Sequence, residues 1–370
     1  MTIPVLDMLE TRRQEARTIF EGRGLPTRRV EEWKYSGLKE ALGDAGLGED
    51  TAFARLLGRL PEGFEYTDLV NPKSWAAAHF GTLARNAVSE ASLAFAEGGL
   101  ALRVPAGRKI TEPLMLELGG AGHARLLLVV EAGASAVLFE TIDVAGPRNT
   151  GFEIVLGEGA QLSHVRLARP VEGVQVEEIA ISIAANARYD GHFASFGGKL
   201  ARAELTIALE GEGAEAHLSG VSVLGENRHA DVTTHVIHRK GNTHSTQLFK
   251  KVAGGKARAV YQGKVTVAKG ADGADSRQTA KALLLSETAE ADLKPELEIF
   301  ADDVKCAHGA AIGDLDAEQI FYLRSRGVPE NHARAILMYA FLEDALEPIA
   351  DETLRGAVRT GVQTALRGLL

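Results

Sequence analysis

A thiol and an imidazole two residues apart, Cys306 and His308, are the sharpest chemical feature of this 370-residue chain, and Cys306 is its single cysteine. On an extended strand, residues two apart project from the same face, while the intervening neighbours point the other way. Lys305 therefore offers the thiol little. Three chemistries fit the pair. Cys306 can be a small buried apolar residue, with His308-Gly309 at a turn. A Cys–His nucleophilic pair would also need an orienting third group and an oxyanion donor, and nothing upstream marks either. The third is metal or iron–sulfur ligation, for which thiolate and imidazole are both suited. Two donors are half a four-ligand site, so the others would come from another chain, labile thiols or water. The metal reading thus predicts a shared or transient site at a subunit interface.

Other donor clusters carry less. His229, His235, His238 and His244 fall close together, but His235 and His238 are an odd number apart and point to opposite faces of a strand. No cysteine lies near to complete a zinc-type set. They are expected to be solvated or hydrogen-bonded strand histidines. The chain has no Gly-x-x-x-x-Gly-Lys-Ser/Thr loop and no strand-Gly-x-Gly-x-x-Gly-helix unit, which argues against ATPase activity of its own and a Rossmann cofactor.

The elements that would hold Cys306 and His308 can be read from the pattern. From about Pro4 to Gly22, apolar Leu6, Leu9, Ala16, Ile19 and Phe20 alternate with charges at helical spacing. The run Gly24–Leu38 sets charges around Trp33 and Tyr35; it reads as a surface helix or loop pinned by one buried tryptophan, with Arg28 and Arg29 as alternative binding residues. Asn71-Pro72 signals a helix start, continuing through Trp75, Phe80 and Leu83, so about the first ninety residues read as helical. From Leu93 the texture becomes strand-length runs bounded by turn residues, ending with the segment around Cys306. Glu131-Ala-Gly-Ala, Glu158-Gly-Ala, Glu212-Gly-Ala and Gly254-Gly-Lys-Ala each separate two such runs. There a glycine supplies the positive φ of a tight turn and the following alanine can point inward. The spacing is uneven, and both a β-sandwich and a stacked β-helix fit. Asp316, with Gln319 three residues on, caps a helix ending near Gly327. Pro329 opens a second, with apolar Ala333, Ile336, Leu337, Ala340, Phe341 and, beyond them, Leu346. Asp351 caps a third, through Leu354, Val358, Val362 and Leu366. Together they read as a helical cap on a β body, with apolar surface to spare for a partner.

Composition narrows the class. A net charge of −9 argues against a general nucleic-acid or anionic-membrane binder. One cysteine excludes an intrachain disulfide framework and suits a reducing compartment. No window reaches the roughly 18 apolar residues of a membrane span, and acids stand where a signal peptide needs a basic start. A cytoplasmic protein is expected.

The stretch Lys294–Val328 (KPELEIFADDVKCAHGAAIGDLDAEQIFYLRSRGV) and the run GLPTRRVEEWKYSGL near the start together resemble the SufB/SufD family of the SUF iron–sulfur cluster assembly machinery. The resemblance covers nearly the whole chain. It implies a mainly β fold, a right-handed parallel β-helix core over residues 91–313, flanked by α-helical domains at 1–90 and 314–370. It implies a non-catalytic scaffold in a SufBCD-type complex. Its partners would be a SufB-type paralogue (heterodimer) or a second copy of itself (homodimer), and a SufC-type ABC ATPase on the C-terminal helices. For that docking, Asp316, Phe321, Tyr322, Arg324, Ile336 and Phe341 are the expected contacts. Cys306 and His308 match the family motif for a transient iron–sulfur cluster shared with the partner chain, with sulfur delivered through the SufB-type subunit. A reduced flavin accompanies some complexes of this kind, and no motif for it stands in this chain. SufB-like chains read His-Glu where this one reads His308-Gly309. That departure and the single cysteine favour the SufD branch, and count against a finished cluster held by this subunit alone. Two other classes remain as alternatives: a β-helix enzyme acting on acidic polysaccharide, and a stand-alone homodimeric metal-binding protein.

Overall fold

Left-handed turn residues set the architecture. A computed structural model describes residues 5–47, 52–83, 86–143, 146–169 and 172–370. Gly133, Gly159 and Gly213 all have φ between 62° and 69°, and the alanines that follow, Ala134, Ala160 and Ala214, are fully buried. Asn186 (φ 56°) and Asn242 (φ 54°) occupy the same corner in other coils; asparagine tolerates this conformation because its short side chain bonds locally. Gly255, with Ala257 buried, turns the opposite corner, where Glu226 does the same one coil earlier. The uneven glycine spacing thus comes from two corners superimposed, with Asn and Glu substituting at some positions.

These turns wind the chain into a parallel β-helix of two nine-stranded sheets. The first holds Phe53–Leu56, Leu114–Gly119, Ser135–Asp143, Gln161–Ala168, Arg188–Ser195, Glu215–Leu224, His244–Ala253, Asp275–Leu284 and Lys305–Gly313, in that order. The second runs from Glu65–Asp68 through Gly99–Val104, Gly122–Val130, Arg148–Leu156, Val174–Ile183, Leu200–Leu209, His229–His238 and Arg258–Val267 to Glu290–Ile299. Pairing is parallel except at the start of each sheet. The stacked inward rows form a continuous apolar column from Leu102 to Ala280. That column also encloses charge: Glu140 accepts from His164 (3.0 Å), and Arg166 bridges Glu140 (3.4 Å) and Glu177. Burial pushes Glu177 up to about 7, against the pull of Arg166.

Helices cover both outer faces. Val5–Arg23, Ser74–His79 and Ala87–Phe95 bury Leu9, Ala16, Ala76, Leu93 and Ala94 against Ala101, Leu127 and Val129 of the second sheet. Pro4 and the side chain of Leu6 lie outside the described residues. Of the other apolar positions expected for the first helix, Phe20 packs edge-on to Phe95 at 5.5 Å, whereas Ile19 is exposed. Trp33 is buried, stacked beneath the Arg202 guanidinium (4.2 Å), while Arg28 and Arg29 face solvent.

Three expectations are corrected. The region before residue 90 contains two short strands, Phe53–Leu56 and Glu65–Asp68, too brief to show a period of two. The helix after Asn71-Pro72 starts at Ser74 and stops at His79, short of Phe80 and Leu83, and Leu93 lies in a helix rather than a strand. The helices Glu330–Glu343 and Glu352–Arg367 lie beside the column. They fold back along the outer face of the first sheet, where Met338, Leu342, Leu346, Leu354, Val358, Val362 and Leu366 meet Phe139, Val165, Leu167, Phe196 and Val221. The helix Glu330–Glu343 turns Ala333, Met338 and Leu342 inward and leaves Ile336 and Ala340 exposed, because it is apolar on nearly every side and its spacing could not select a face.

Candidate functional site at the open end

Because the helices return along the flank, the column's C-terminal end stays uncovered among the described residues. Its last rungs are Glu290–Ile299 and Lys305–Gly313, each paired on one edge only. Cys306 pairs in register with Ser276 and His308 with Gln278, both inward-facing and buried. Cys306 and His308 therefore share the inward row, as their spacing required. Cys306 is half-buried against the apolar column, and His308 is exposed. Burial raises the Cys306 thiol above its ordinary pKa, the Ser276 backbone hydrogen bond works against this, and the Asp275 charge adds to it.

Across the opening, Leu293, Pro295, Leu297 and Ile299 continue the inward row of the second sheet. Ile299, Phe300 and Ile312 are 41%, 62% and 49% exposed. Such apolar surface beside free strand edges marks an interaction site. The two edges differ: Pro295 removes an N–H from one, whereas Ala307, Gly309, Ala310 and Ala311 keep the other narrow and open to pairing. Among the described residues no three His, Cys, Asp or Glu side chains converge as a metal site, so Cys306 and His308 would need donors from outside this set.

The C-terminal candidates form a second set. Asp316 accepts from the Glu318 and Gln319 backbone N–H groups (2.8 and 3.3 Å) and caps the helix Ala317–Ser325, which buries none of its residues. Phe321 is 72% and Tyr322 58% exposed; Arg324 pairs with Glu330 at 3.3 Å, and Ile336 faces solvent. Phe341 is engaged within the chain. The Lys250 ammonium lies 4.7 Å over its ring and also bonds its carbonyl and Asp344, both at 2.7 Å.

The four clustered histidines separate as their parity requires. His238 faces inward between Thr243 (2.8 Å) and Ser245 (2.9 Å), and burial lowers it to about 4; His235 bonds Thr266 on the outer face, His229 bonds Ser36, and His244 is exposed. Residue spacing alone missed Gln278, Tyr261 and Gln247, the polar groups directly beneath the open end. Their signal was register: Gln247, Gln278 and His308 occupy successive rungs of one inward row.

Known proteins resemble the chain over most of its length. Residues 116–341 match the family model described as "SUF system FeS cluster assembly, SufBD core domain". The chain is 30% identical over 391 residues to the iron–sulfur cluster assembly protein SufD of Escherichia coli, covering 93% of this chain and 90% of that one. It is 32% identical over 248 residues to an iron–sulfur cluster assembly SufBD family protein of Synechocystis (64% and 55% covered). To the chloroplastic protein ABCI7 of Arabidopsis thaliana it is 28% identical over 288 residues (72% and 60%).

Proposed function

The chain belongs to the SufBD family, as a SufD-type member with a role in SUF iron–sulfur cluster assembly, and from that premise we propose that it is a non-catalytic scaffold whose open end completes a cluster-building site with a second subunit. One observation carries the reading: the only cysteine and His308 lie on the inward row of the last, half-paired strand, ringed by exposed apolar side chains. A SufB-type chain, or a second copy, pairs along Lys305–Gly313 and shields Ile299, Phe300 and Ile312. The cluster is cargo rather than a resident cofactor. Cys306 ligates as thiolate, giving up its proton as iron binds. His308 ligates through an imidazole lone pair, and the partner supplies the remaining donors and the sulfur. A SufC-type ATPase docks on the exposed face formed by Asp316, Phe321, Tyr322, Arg324 and Ile336, with the helices beside it anchored to the first sheet by Lys250 and Phe341.

The experiment is reconstitution with SufB-type and SufC-type subunits. His308→Ala is expected to fold and assemble normally and to lower cluster yield at least about tenfold, the scale seen when groups supporting a metal site are removed. Undiminished yield removes His308 from the site, and failure of the wild-type chain to bind either subunit removes the scaffold reading.

A further inference from the structure

The inward row beneath His308 ends in an incomplete hydrogen-bond network. Gln247 Oε1 accepts from Thr234 Oγ1 (2.6 Å) and from the Tyr261 hydroxyl (3.1 Å). The tyrosine has then spent its proton, so its oxygen accepts, and Gln278 presents its Nε2 to it at 2.8 Å. This fixes the orientation of the Gln278 amide, whose Oε1 is buried and has no partner. A carbonyl oxygen has two lone pairs. Gln247 Nε2 on the rung below is likewise without a partner, and His308 is the residue on the rung above. Gly263 makes room for the arrangement: a Cβ there would collide with the Gln278 amide and the Tyr261 hydroxyl.

We propose that Gln278 is a positioning residue for His308: its Oε1 accepts the Nδ1–H of the imidazole and so leaves the Nε2 lone pair directed out of the open end. An imidazole that binds metal through one nitrogen needs an acceptor for the N–H on the other, and that acceptor sets tautomer and ring orientation. Gln278 is suited to this because its amide is held by the Tyr261–Gln247–Thr234 network, away from solvent. The inference rests on the reading of His308 as a cluster ligand, but its test does not depend on cluster formation.

The test is the imidazole ¹⁵N spectrum of the full-length chain labelled at histidine, recorded near pH 8, with His308 assigned by difference from His308→Ala. The expected result is a predominantly Nδ1–H tautomer at His308. Gln278→Met, of similar length but without an acceptor, shifts the tautomer ratio about fivefold toward Nε2–H, the equilibrium worth of one net hydrogen bond. Gly263→Ala displaces the amide without changing its chemistry and gives the same shift as Gln278→Met. A wild-type His308 already predominantly Nε2–H overturns the proposal without any variant, and so does a ratio unmoved by both Gln278→Met and Gly263→Ala. Normal cluster yield from His308→Ala would instead defeat the ligand reading while leaving the tautomer result in force.

Discussion

The two ends of the β-helix are built on opposite plans. At the N-terminal end, Phe53–Leu56 and Glu65–Asp68 join the sheets antiparallel and are four residues long. Phe64, with Leu56 and Leu60, plugs the apolar column there. Arg55 pairs with Glu117 at 2.6 Å and Arg59 with Glu112 at 3.3 Å, so the rim is charged. Short edges with charge are how stable sheets blunt themselves. At the C-terminal end the last strands are ten and nine residues long, parallel and apolar-tipped. One end is finished within the chain, and the other has the form of an interface. Apolar side chains at the first should act on stability, and those at the second on association.

The largest expected effect tests the closed end. Phe64→Ala should cost about 3–5 kcal/mol, as for other buried phenylalanines, read from denaturant midpoints. The matching Phe300→Ala should change the isolated chain by no more than about 0.5 kcal/mol. Equal losses would erase the distinction.

Acid should act on the coils nearer the open end. The pKa of His238 is lowered to about 4, chiefly by burial and secondarily by the His244 charge, with Asp275 opposing. Its ordinary value is 6.5, so between 6.5 and 4 the unfolded chain binds more protons and stability falls as pH falls. The shift is worth up to about 3 kcal/mol. His238→Gln should remove only its own share of the loss between pH 6.5 and 4 in unfolding curves, because burial lowers His192 and His229 to about 4 as well; an unchanged slope would show that His238 does not contribute. The smallest effect probes the open edge. Ile312→Lys should weaken association with the partner about tenfold, or about 1.4 kcal/mol, by size and mass at fixed concentration, with stability unchanged.

Much of this was legible in the residues. Cys306 and His308 stand out by type and spacing, and their shared face follows from strand parity. The turn glycines and inward alanines announced a coil, but Asn186, Asn242 and Glu226 adopt the same backbone without the same signature. That is why the repeat looked irregular. The closing strands at Phe53–Leu56 and Glu65–Asp68 are too short to read, and their role depends on which coil they touch. The enclosed Glu140–His164–Arg166–Glu177 cluster was hidden because its members come from three strands and meet only in register. Gln278 was hidden for the same reason. Nothing local marks it as the residue beneath His308.

The short-edged N-terminal end also bears on how the proposed assembly would grow. A solenoid with two free ends could stack head to tail into a filament, since each addition would present a fresh edge. Among the described residues the N-terminal end is short-edged and plugged, so under the proposed pairing two open ends would meet and leave no second edge of the same kind. That arrangement predicts a pair rather than a filament, to be read from mass in solution. The cap formed by Phe53–Leu56, Phe64 and Glu65–Asp68, far from the cysteine and histidine, would then let the C-terminal edge pair as proposed without making the protein a fibre.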